Sequence, residues 1–268
     1  MDLASDLRLA LAMADAADAI TVPRFRAPGL VVEAKPDRSP VTEADRDAEQ
    51  AMRSLLAQER PGDGVLGEEF GAVPSGDRRW ILDPIDGTIN YLRGIPVWGT
   101  LIALEQAGKV VVGVVSAPLL GRRWWASRDG GAFSDGASLR VSRVEHLADA
   151  QLSYNAQVTF EEAGWGPQGL ALSRRCWRTR GFGDFWSHLL VAEGAVDLSV
   201  DPVAAVWDLA PLQVIVEEAG GRFSDFSGVA RLDGGNAVSS NSLVHEAALA
   251  ILNDPNPQVP PRSGPVVA

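Results

Sequence analysis

The chain has 268 residues, of which 46% are hydrophobic and 22% are charged, a composition typical of a globular protein. Its formal net charge of −11 argues against nucleic acid as a general partner, because a phosphate backbone attracts basic surfaces. No apolar run reaches the ~20 residues of a membrane span, and the N-terminal segment lacks the basic region of a signal peptide. With a single cysteine and therefore no intrachain disulfide, we expect a cytoplasmic protein that does not associate with membranes.

Apolar spacing and turn residues predict the elements of the first half. Leucines and alanines at helical spacing indicate a helix over residues 3–26, and residues 29–35 indicate a short strand. A second helix begins near Thr42, with acids in its first turn, and stops before Pro61. Residues 78–83 predict a strand. Residues 97–118 predict two long strands joined by a Gln-Ala-Gly-Lys turn, and residues 122–133 continue the meander.

The second half alternates short strands with helices. We predict strands over 150–155, 195–200, 221–225 and 236–241. We predict four helices: one near 168–175, one that ends at Gly194, one over 207–221 and one over 242–252. Residues 156–167 are predicted to form a loop, a candidate substrate lid. Helices alternating with a mixed sheet indicate an α/β (layered α+β) fold. We expect one domain over residues 1–252, with subdomains of about 1–147 and 148–252, and a disordered proline-rich tail over 253–268.

The segment WILDPIDGTINY, residues 80–91, places two aspartates three residues apart at the end of an apolar strand. Pro84 holds the turn rigid, so Asp83 and Asp86 can point at one place together with the carbonyl of Ile85. Carboxylates held this close are costly unless a cation lies between them. With one cysteine and three histidines, zinc is improbable, and oxygen ligands favour magnesium, manganese or calcium.

The residues that follow the two aspartates suggest an anion site. Gly87 allows close approach of the backbone, and Thr88 is a good N-cap for a short helix. The amides of Gly87 and Thr88 would therefore bind a phosphate beside the metals. A metal site next to a phosphate cradle is what hydrolysis of a phosphate ester requires.

Each acidic segment also has a plain structural explanation. A lone D-x-x-D is more often a proline turn, paired glutamates such as Glu68 and Glu69 are more often solvated, and Asp208 is favoured by the dipole of the helix it begins. The three segments occurring together weaken these explanations, and one glutamate of the pair could complete a metal cage.

Four segments, VTEADRD, GEEFG, WILDPIDGTINY and VWDLAPLQVIVEEAGG, span residues 41–221 and resemble the inositol monophosphatase family of magnesium-dependent, lithium-sensitive phosphatases. This resemblance implies the family's αβαβα layered sandwich, two to three Mg²⁺ ions per site with Mn²⁺ as a substitute, and a homodimer. Two such cations can stabilise both the attacking and the leaving oxygen of a phosphoryl transfer.

The resemblance also implies individual roles. The first metal would be bound by Glu68, Asp83 and the Ile85 carbonyl, and the second by Asp83, Asp86 and Asp208. A third, weaker magnesium would share Glu68. Asp45 and Thr88 match the pair that orients and activates the attacking water, and the amides of Gly87 and Thr88 would hold the phosphate.

Within the family, stretches such as PGDGVLGEEFG, GIPVWGTLIAL and VAEGAVD look most like bacterial histidinol-phosphate phosphatases, which implies hydrolysis of L-histidinol phosphate to L-histidinol in histidine biosynthesis. That substrate is cationic, so Asp184, flanked by Gly183 and Phe185, and Asp201 are candidate substrate contacts. Each is equally explained as a loop acid in water. Ile89 stands where we expect lysine in histidinol-phosphate members, and Asp201 where the family usually has glutamate. Inositol 1-phosphate, a sugar phosphate or another aminated ester therefore remains an alternative, as does a non-catalytic metal- or phosphate-binding homologue.

Overall fold

The computed structural model describes residues 2–35, 40–74 and 76–259. The chain divides into two compact units, the first comprising Met1–Leu139 with Val206–Ala219 and the second Arg140–Ala205 with Gly220–Ala268. Residues 260–268 of the predicted tail lie outside the described residues. None of the described helices combines the length and the hydropathy of a membrane span.

The helices, in chain order, are α1 (Leu3–Arg24), α2 (Glu43–Glu59), α3 (Thr88–Arg93), α4 (Gln157–Glu162), α5 (Gly166–Arg175), α6 (Asp184–Ala192), α7 (Val206–Glu218) and α8 (His245–Leu252). The predicted helices are confirmed, although α8 begins three residues later than predicted. The loop predicted over 156–167 is wrong, because α4 and the start of α5 lie there. Phe160 of α4 is buried and packs edge-on against Tyr154, so burial stabilises a short helix that its sequence does not indicate.

The strands are β1 (Val32–Ala34), β2 (Pro40–Thr42), β3 (Gly64–Gly67), β4 (Gly71–Val73), β5 (Arg78–Asp86), β6 (Gly99–Gln106), β7 (Lys109–Ala117), β8 (Arg122–Ser127), β9 (Gly131–Ser134), β10 (Ala137–Ser138), β11 (Gln151–Ser153), β12 (Arg178–Arg180), β13 (Leu198–Asp201), β14 (Arg222–Ser224) and β15 (Ala237–Ser240). Within the described ranges, β1 pairs with β2, and the other strands form two sheets. One has eight strands in the order β10-β9-β8-β7-β6-β5-β3-β4, and the other has five in the order β12-β11-β13-β15-β14. Both mix parallel and antiparallel pairs, as predicted.

In the first unit, helices cover both faces of the eight-stranded sheet. Trp80 and Leu82 of β5 point to one face and join the buried core formed with α1 and α2. Ile81 and Asp83 point to the other face, because side chains alternate along a strand. That face carries α7, since a Cβ atom on Gly113 of β7 would lie 2.6 Å from a methyl group of Val214 in α7. Asp83 therefore lies on the α7 side of the sheet.

In the second unit, the two faces of the five-stranded sheet differ in polarity. Leu152, Leu198, Val200 and Val238 form the core with residues of α5 and α8. The opposite face is rich in serine and packs against α6, where Ser153 hydrogen bonds to Ser187 at 2.7 Å. Each unit thus has a sheet between helices, in agreement with the predicted layered α/β class.

Candidate metal and phosphate site

The regular pairing of β5 with β6 breaks at the two aspartates of the DPID motif. Asp83 is opposite Leu101 and Asp86 is opposite Gly99, so β5 advances by three residues while β6 advances by two. Thr100 Oγ1 donates a hydrogen bond of 2.8 Å to the Pro84 carbonyl, and the Ile85 amide donates one of 3.0 Å to Asp83 Oδ1. Such a bulge re-aims side chains at a strand end, and here both a contact within the motif and Thr100 of β6 hold it.

The structure brings Asp83, Asp86 and Asp208 together. Each offers a carboxylate oxygen, and these oxygens lie within 4.8 Å of one another. Asp83 is buried, whereas Asp86 and Asp208 are half-buried. Asp208 lies in the first turn of α7, on the sheet face toward which Asp83 points. Packing of α7 on the sheet therefore brings Asp208 next to Asp83 and Asp86, which lie more than a hundred residues earlier in the sequence.

Glu68 belongs to the same acidic cluster. Burial raises the pKa of Asp83 well above its usual value, and the charges of Glu68, Asp86 and Asp208 raise it further, as does a hydrogen bond between the Asp83 and Glu68 carboxyl groups. Glu68 thus adjoins the three aspartates through its hydrogen bond to Asp83. In the protein without cations, a proton on Asp83 relieves part of their mutual repulsion.

Lys35 provides a positive charge at the edge of this cluster. Its ammonium contacts Glu68 Oε1 at 2.6 Å and Glu69 Oε1 at 2.7 Å. Burial alone would lower the pKa of Lys35, but the hydrogen bonds to both glutamates outweigh it and raise the pKa above the usual value. Burial also raises the pKa of Glu69 to about 7, against the opposing effect of Lys35.

Asp45 is a buried carboxyl group with one free oxygen. Its Oδ2 accepts hydrogen bonds from the amide and hydroxyl of Thr42, at 2.8 and 2.5 Å, in a capping box at the start of α2, which lies where the helix was predicted to begin. Its Oδ1 is buried without a hydrogen-bond partner. Burial raises the pKa of Asp45 to about 6, and the charge of Glu68 contributes to the increase.

The predicted N-cap role of Thr88 is wrong. Gly87 is the N-cap of α3, with φ of 81°, and Thr88 is the first helical residue. A left-handed backbone suits glycine and lets the chain turn directly into the helix, without a side-chain cap. The Thr88 hydroxyl instead donates a hydrogen bond of 3.0 Å to the Ile85 carbonyl. That carbonyl keeps a second lone pair for another partner.

The donor set fits a hard divalent cation. Carboxylate and carbonyl oxygens are the ligands that magnesium, manganese and calcium prefer. Clustered carboxylates around a buried Asp83 are unfavourable by themselves, and divalent cations would neutralise them. The individual ligand roles of Glu68, Asp83, Ile85, Asp86 and Asp208 stay predictions, as do those of Asp45, Gly87 and Thr88.

The residues predicted to contact substrate lie in the second unit. Gly183 precedes α6 with φ of 79°, and Asp184 adopts φ of 47°, which is uncommon for a residue with a side chain. The Asp184 amide donates a hydrogen bond of 2.7 Å to the Asn155 side chain. Phe185 is buried. Backbone strain of this kind is often found at functional sites, and the substrate-binding role of all three residues stays a prediction.

Asp201, the other candidate for substrate binding, is largely buried at the end of β13. Its Oδ2 lies 2.7 Å from His188 Nε2, and His188 Nδ1 lies 2.7 Å from Ser239 Oγ. Asp201 Oδ1 is buried without a hydrogen-bond partner. His188, which its helical position marks as a packing residue, is indeed buried but also orients this carboxylate.

Sequence reasoning missed two charged residues beside the cluster, Lys35 and Glu49. Glu49 follows Asp45 by one helical turn and so lies on the same face of α2, a spacing that could have drawn attention to it. Lys35 ends a short apolar stretch, and nothing in that stretch indicates that it contacts Glu68.

The comparison with protein families matches residues 2–255 to the inositol monophosphatase family. The chain belongs to this family. Two relatives are each named histidinol-phosphatase. The one from Streptomyces coelicolor is 50% identical over 261 residues, covering 94% of this chain and 98% of that protein. The one from Mycobacterium tuberculosis is 51% identical over 254 residues, covering 92% of this chain and 98% of that protein.

Among solved structures, an inositol monophosphatase from Zymomonas mobilis superposes with a TM-score of 0.84 at 36% identity, covering 95% of this chain and 100% of that chain. This likeness confirms the predicted inositol monophosphatase-like fold, α/β with layered sheets and helices. The resemblance predicted from the four sequence segments, including the similarity to histidinol-phosphate phosphatases, is likewise confirmed by the relatives.

Proposed function

We propose that the protein is a magnesium-dependent phosphomonoesterase that hydrolyses L-histidinol phosphate to L-histidinol in histidine biosynthesis. The convergence of Asp83, Asp86 and Asp208 on one point supports the chemistry, because clustered carboxylates of this kind serve a divalent cation. The substrate is supported by the two relatives named histidinol-phosphatase, which share half of their residues with this chain over almost its whole length.

In this proposal the acidic side chains bind the cations and the backbone amides bind the phosphate. Glu68, Asp83, Asp86 and Asp208, with the Ile85 carbonyl, bind two to three Mg²⁺ ions, for which Mn²⁺ can substitute. The bound cations supply charge neutralisation for the phosphate and activation of the attacking water. The amides of Gly87 and Thr88 bind the phosphate oxygens.

Asp45 would accept the proton of the attacking water. Its free oxygen, Oδ1, is buried and has no hydrogen-bond partner, so it is available as the acceptor. A pKa of about 6 leaves the carboxyl group mostly ionised at neutral pH and suits a general base. The Thr88 hydroxyl would orient the same water by accepting a hydrogen bond from it, since its own proton is donated to the Ile85 carbonyl.

The cationic substrate would be recognised by acids. We infer that Asp184 and Asp201 pair with its ammonium or imidazole group, with Gly183 and Phe185 shaping the contact. Ile89, whose side chain is 64% exposed, offers neither the charge expected in histidinol-phosphate members nor a hydroxyl group. Inositol 1-phosphate is therefore the second candidate, and it is favoured by the likeness to the Zymomonas mobilis inositol monophosphatase.

The test is phosphate release from L-histidinol phosphate and inositol 1-phosphate, compared as kcat/KM with magnesium and with EDTA. We expect magnesium-dependent turnover that favours L-histidinol phosphate, and a much lower kcat/KM in Asp208→Asn, because the neutral amide oxygen binds a divalent cation more weakly than a carboxylate does. Turnover that persists in EDTA would remove the metal mechanism. A preference for inositol 1-phosphate would leave the chemistry intact and replace the substrate. Tight cation binding without hydrolysis of any ester would favour the non-catalytic homologue.

We further propose a cytoplasmic homodimer, an expectation drawn from the family and from the single, buried cysteine Cys176. Light scattering coupled to gel filtration measures the mass directly. A mass near 28.5 kDa would show a monomer and remove that part of the proposal.

A further inference from the structure

The turn between β3 and β4 carries Glu68, and a buried acid of α2 holds it. Glu49 is fully buried, and its Oε2 accepts a hydrogen bond of 2.7 Å from the Glu69 amide. Its Oε1 accepts one of 3.2 Å from the Phe70 amide. One carboxylate therefore binds the two amides that directly follow Glu68.

Arg53 completes this anchor from the next turn of α2. Its Nε donates a hydrogen bond of 2.7 Å to Glu49 Oε1, which compensates the buried charge. Its guanidinium also donates to the Gly71 carbonyl at 2.5 Å and lies 5.9 Å from the centre of the Phe70 ring. Glu49 and Arg53 thus bind three successive residues that follow Glu68, namely Glu69, Phe70 and Gly71.

Gly67, just before Glu68, has no side chain, and the Glu49 carboxylate occupies the space that a side chain would fill. A Cβ atom at this position would lie 2.0 Å from Glu49 Oε1 and 2.3 Å from its carboxyl carbon. No side chain can occupy that space while Glu49 stays where it is. The Glu49 carboxylate therefore occupies the space that only a glycine at position 67 leaves open, and from there it binds the amides of Glu69 and Phe70.

These contacts fix the backbone from which the Glu68 side chain projects. The Glu68 amide donates a hydrogen bond of 3.1 Å to the Leu82 carbonyl, one residue before Asp83. With the next two amides bound to Glu49, three successive peptide groups are held in place. Without that restraint, the Glu68 carboxylate would lose its fixed position against Asp83, and it would have to be ordered again whenever a cation binds.

We propose that Glu49 is a positioning residue for the cation site: it acts through the backbone of residues 67–70 to hold Glu68 against Asp83, and it touches neither cation nor substrate. The proposal rests on the proposed function in one respect, namely that Glu68 is a cation ligand. It adds a residue that determines cation affinity from outside the ligand set.

The experiment measures the Mn²⁺ Kd by isothermal titration calorimetry. Mn²⁺ is titrated into full-length protein from which EDTA has removed bound cations, for the wild type, Glu49→Gln and Glu49→Ala. Partners that orient ligands typically contribute about 10–100-fold to metal affinity, and we expect a Kd increase in this range for Glu49→Ala. Glu49→Gln keeps one acceptor oxygen, so its increase should be smaller. Gly67→Ala displaces the carboxylate from the other side and should weaken Mn²⁺ binding even with Glu49 present.

Asp63→Asn is the matched control. Asp63 is an acid of the same unit whose side chain is 6% exposed, and it is bound to Arg78 at 3.1 Å and to the Trp80 indole at 2.9 Å rather than to residues 67–70. We expect it to lower the melting temperature while leaving the Mn²⁺ Kd within about twofold of the wild type.

Two outcomes overturn the inference, and they are distinguishable. If the wild type binds Mn²⁺ and the Glu49 and Gly67 variants bind it equally well, Glu49 is only structural and the proposed function stands. If the wild type itself does not bind Mn²⁺, the cation site and the proposed function fail together. Hydrogen exchange at the amides of residues 69 and 70 gives a second readout, because Glu49→Gln should accelerate exchange there and Asp63→Asn should not.

Discussion

Replacing Asp83 by asparagine should stabilise the protein that lacks cations while abolishing its activity. Asp83 is buried, and oxygens of Asp83, Asp86 and Asp208 lie within 4.8 Å of one another. Two unit charges at that separation repel by about 3.5 kcal/mol at an effective dielectric constant of ~20. Solvent reaches Asp86 and Asp208 and screens part of this repulsion, and a proton on Asp83 relieves more of it. We therefore expect a net gain of about 1–3 kcal/mol at neutral pH.

The gain should depend on pH in a definite direction. The pKa of Asp83 is raised in the folded protein, so the folded state holds a proton that the unfolded state releases near its ordinary value of 3.8. The contribution of Asp83 to the stability of the wild type therefore falls as pH rises above about 4, and the asparagine variant lacks this contribution. At acid pH the neutral carboxyl group and the amide are nearly isosteric, and the two proteins should unfold at similar temperatures.

The assay is thermal unfolding in EDTA and in excess magnesium, from pH 4 to pH 8. At roughly 2 °C per kcal/mol for a chain of this size, the variant should melt about 2–6 °C above the wild type in EDTA at pH 8. Magnesium should raise the melting temperature of the wild type and have little effect on the variant.

A control distinguishes the acid cluster from any buried carboxylate. Asp6 is fully buried and lies 3.1 Å from Arg60 and 3.0 Å from Arg78, so Asp6→Asn removes the negative charge that both guanidinium groups contact and should destabilise the protein. An Asp83→Asn protein that melts below the wild type in EDTA, or that keeps the full magnesium-induced increase, would refute the reasoning.

Three further predictions concern the rest of the chain. Burial lowers the pKa of His245 to about 4, so this residue alone should destabilise the folded wild type by up to about 3 kcal/mol as pH falls from 6.5 to 4. In urea titrations, the free energy of unfolding of His245→Gln should lack this contribution; an equal pH dependence in both proteins would contradict the burial argument. Gly113→Ala should cost about 1–3 kcal/mol, because the new methyl group meets Val214, whereas Gly76→Ala, with no atom within 4 Å, should unfold at nearly the wild-type urea concentration. Burial raises the pKa of Cys176 to about 12, so iodoacetamide at pH 8 should label it only in denaturant; rapid labelling of the folded protein would show that the thiol is accessible.

Much of the site was predictable because its chemistry is carried by short segments. The DPIDGT motif contains two acids, the Ile85 carbonyl and the Gly87 turn within six residues, and local backbone geometry determines how they point. The capping box of α2 is equally local, since the Thr42 and Asp45 side chains bind each other's backbone amides. Contacts between residues only a few positions apart in the sequence follow from residue type and spacing.

Other features depended on burial. The short helix α4 exists because Phe160 is buried, and its segment alone indicates a loop. The N-cap of α3 was assigned to Thr88 from its propensity, but the left-handed backbone of Gly87 takes that position. Propensity describes what a residue favours in isolation, and tertiary packing overrides it where the energy differences are below about 1 kcal/mol.

The amino-acid sequence suffices to specify the donor chemistry of this protein, because oxygen ligands, a glycine turn and a capped helix are encoded within a few neighbouring residues. Their assembly requires the folded chain. Asp208 reaches Asp83 only because α7 packs on the face of the sheet toward which Asp83 points, with Gly113 leaving room for the helix. Glu49 and Lys35 approach Glu68 from other elements for the same reason: contacts between residues distant in sequence are set by packing of buried surfaces, which no local pattern encodes.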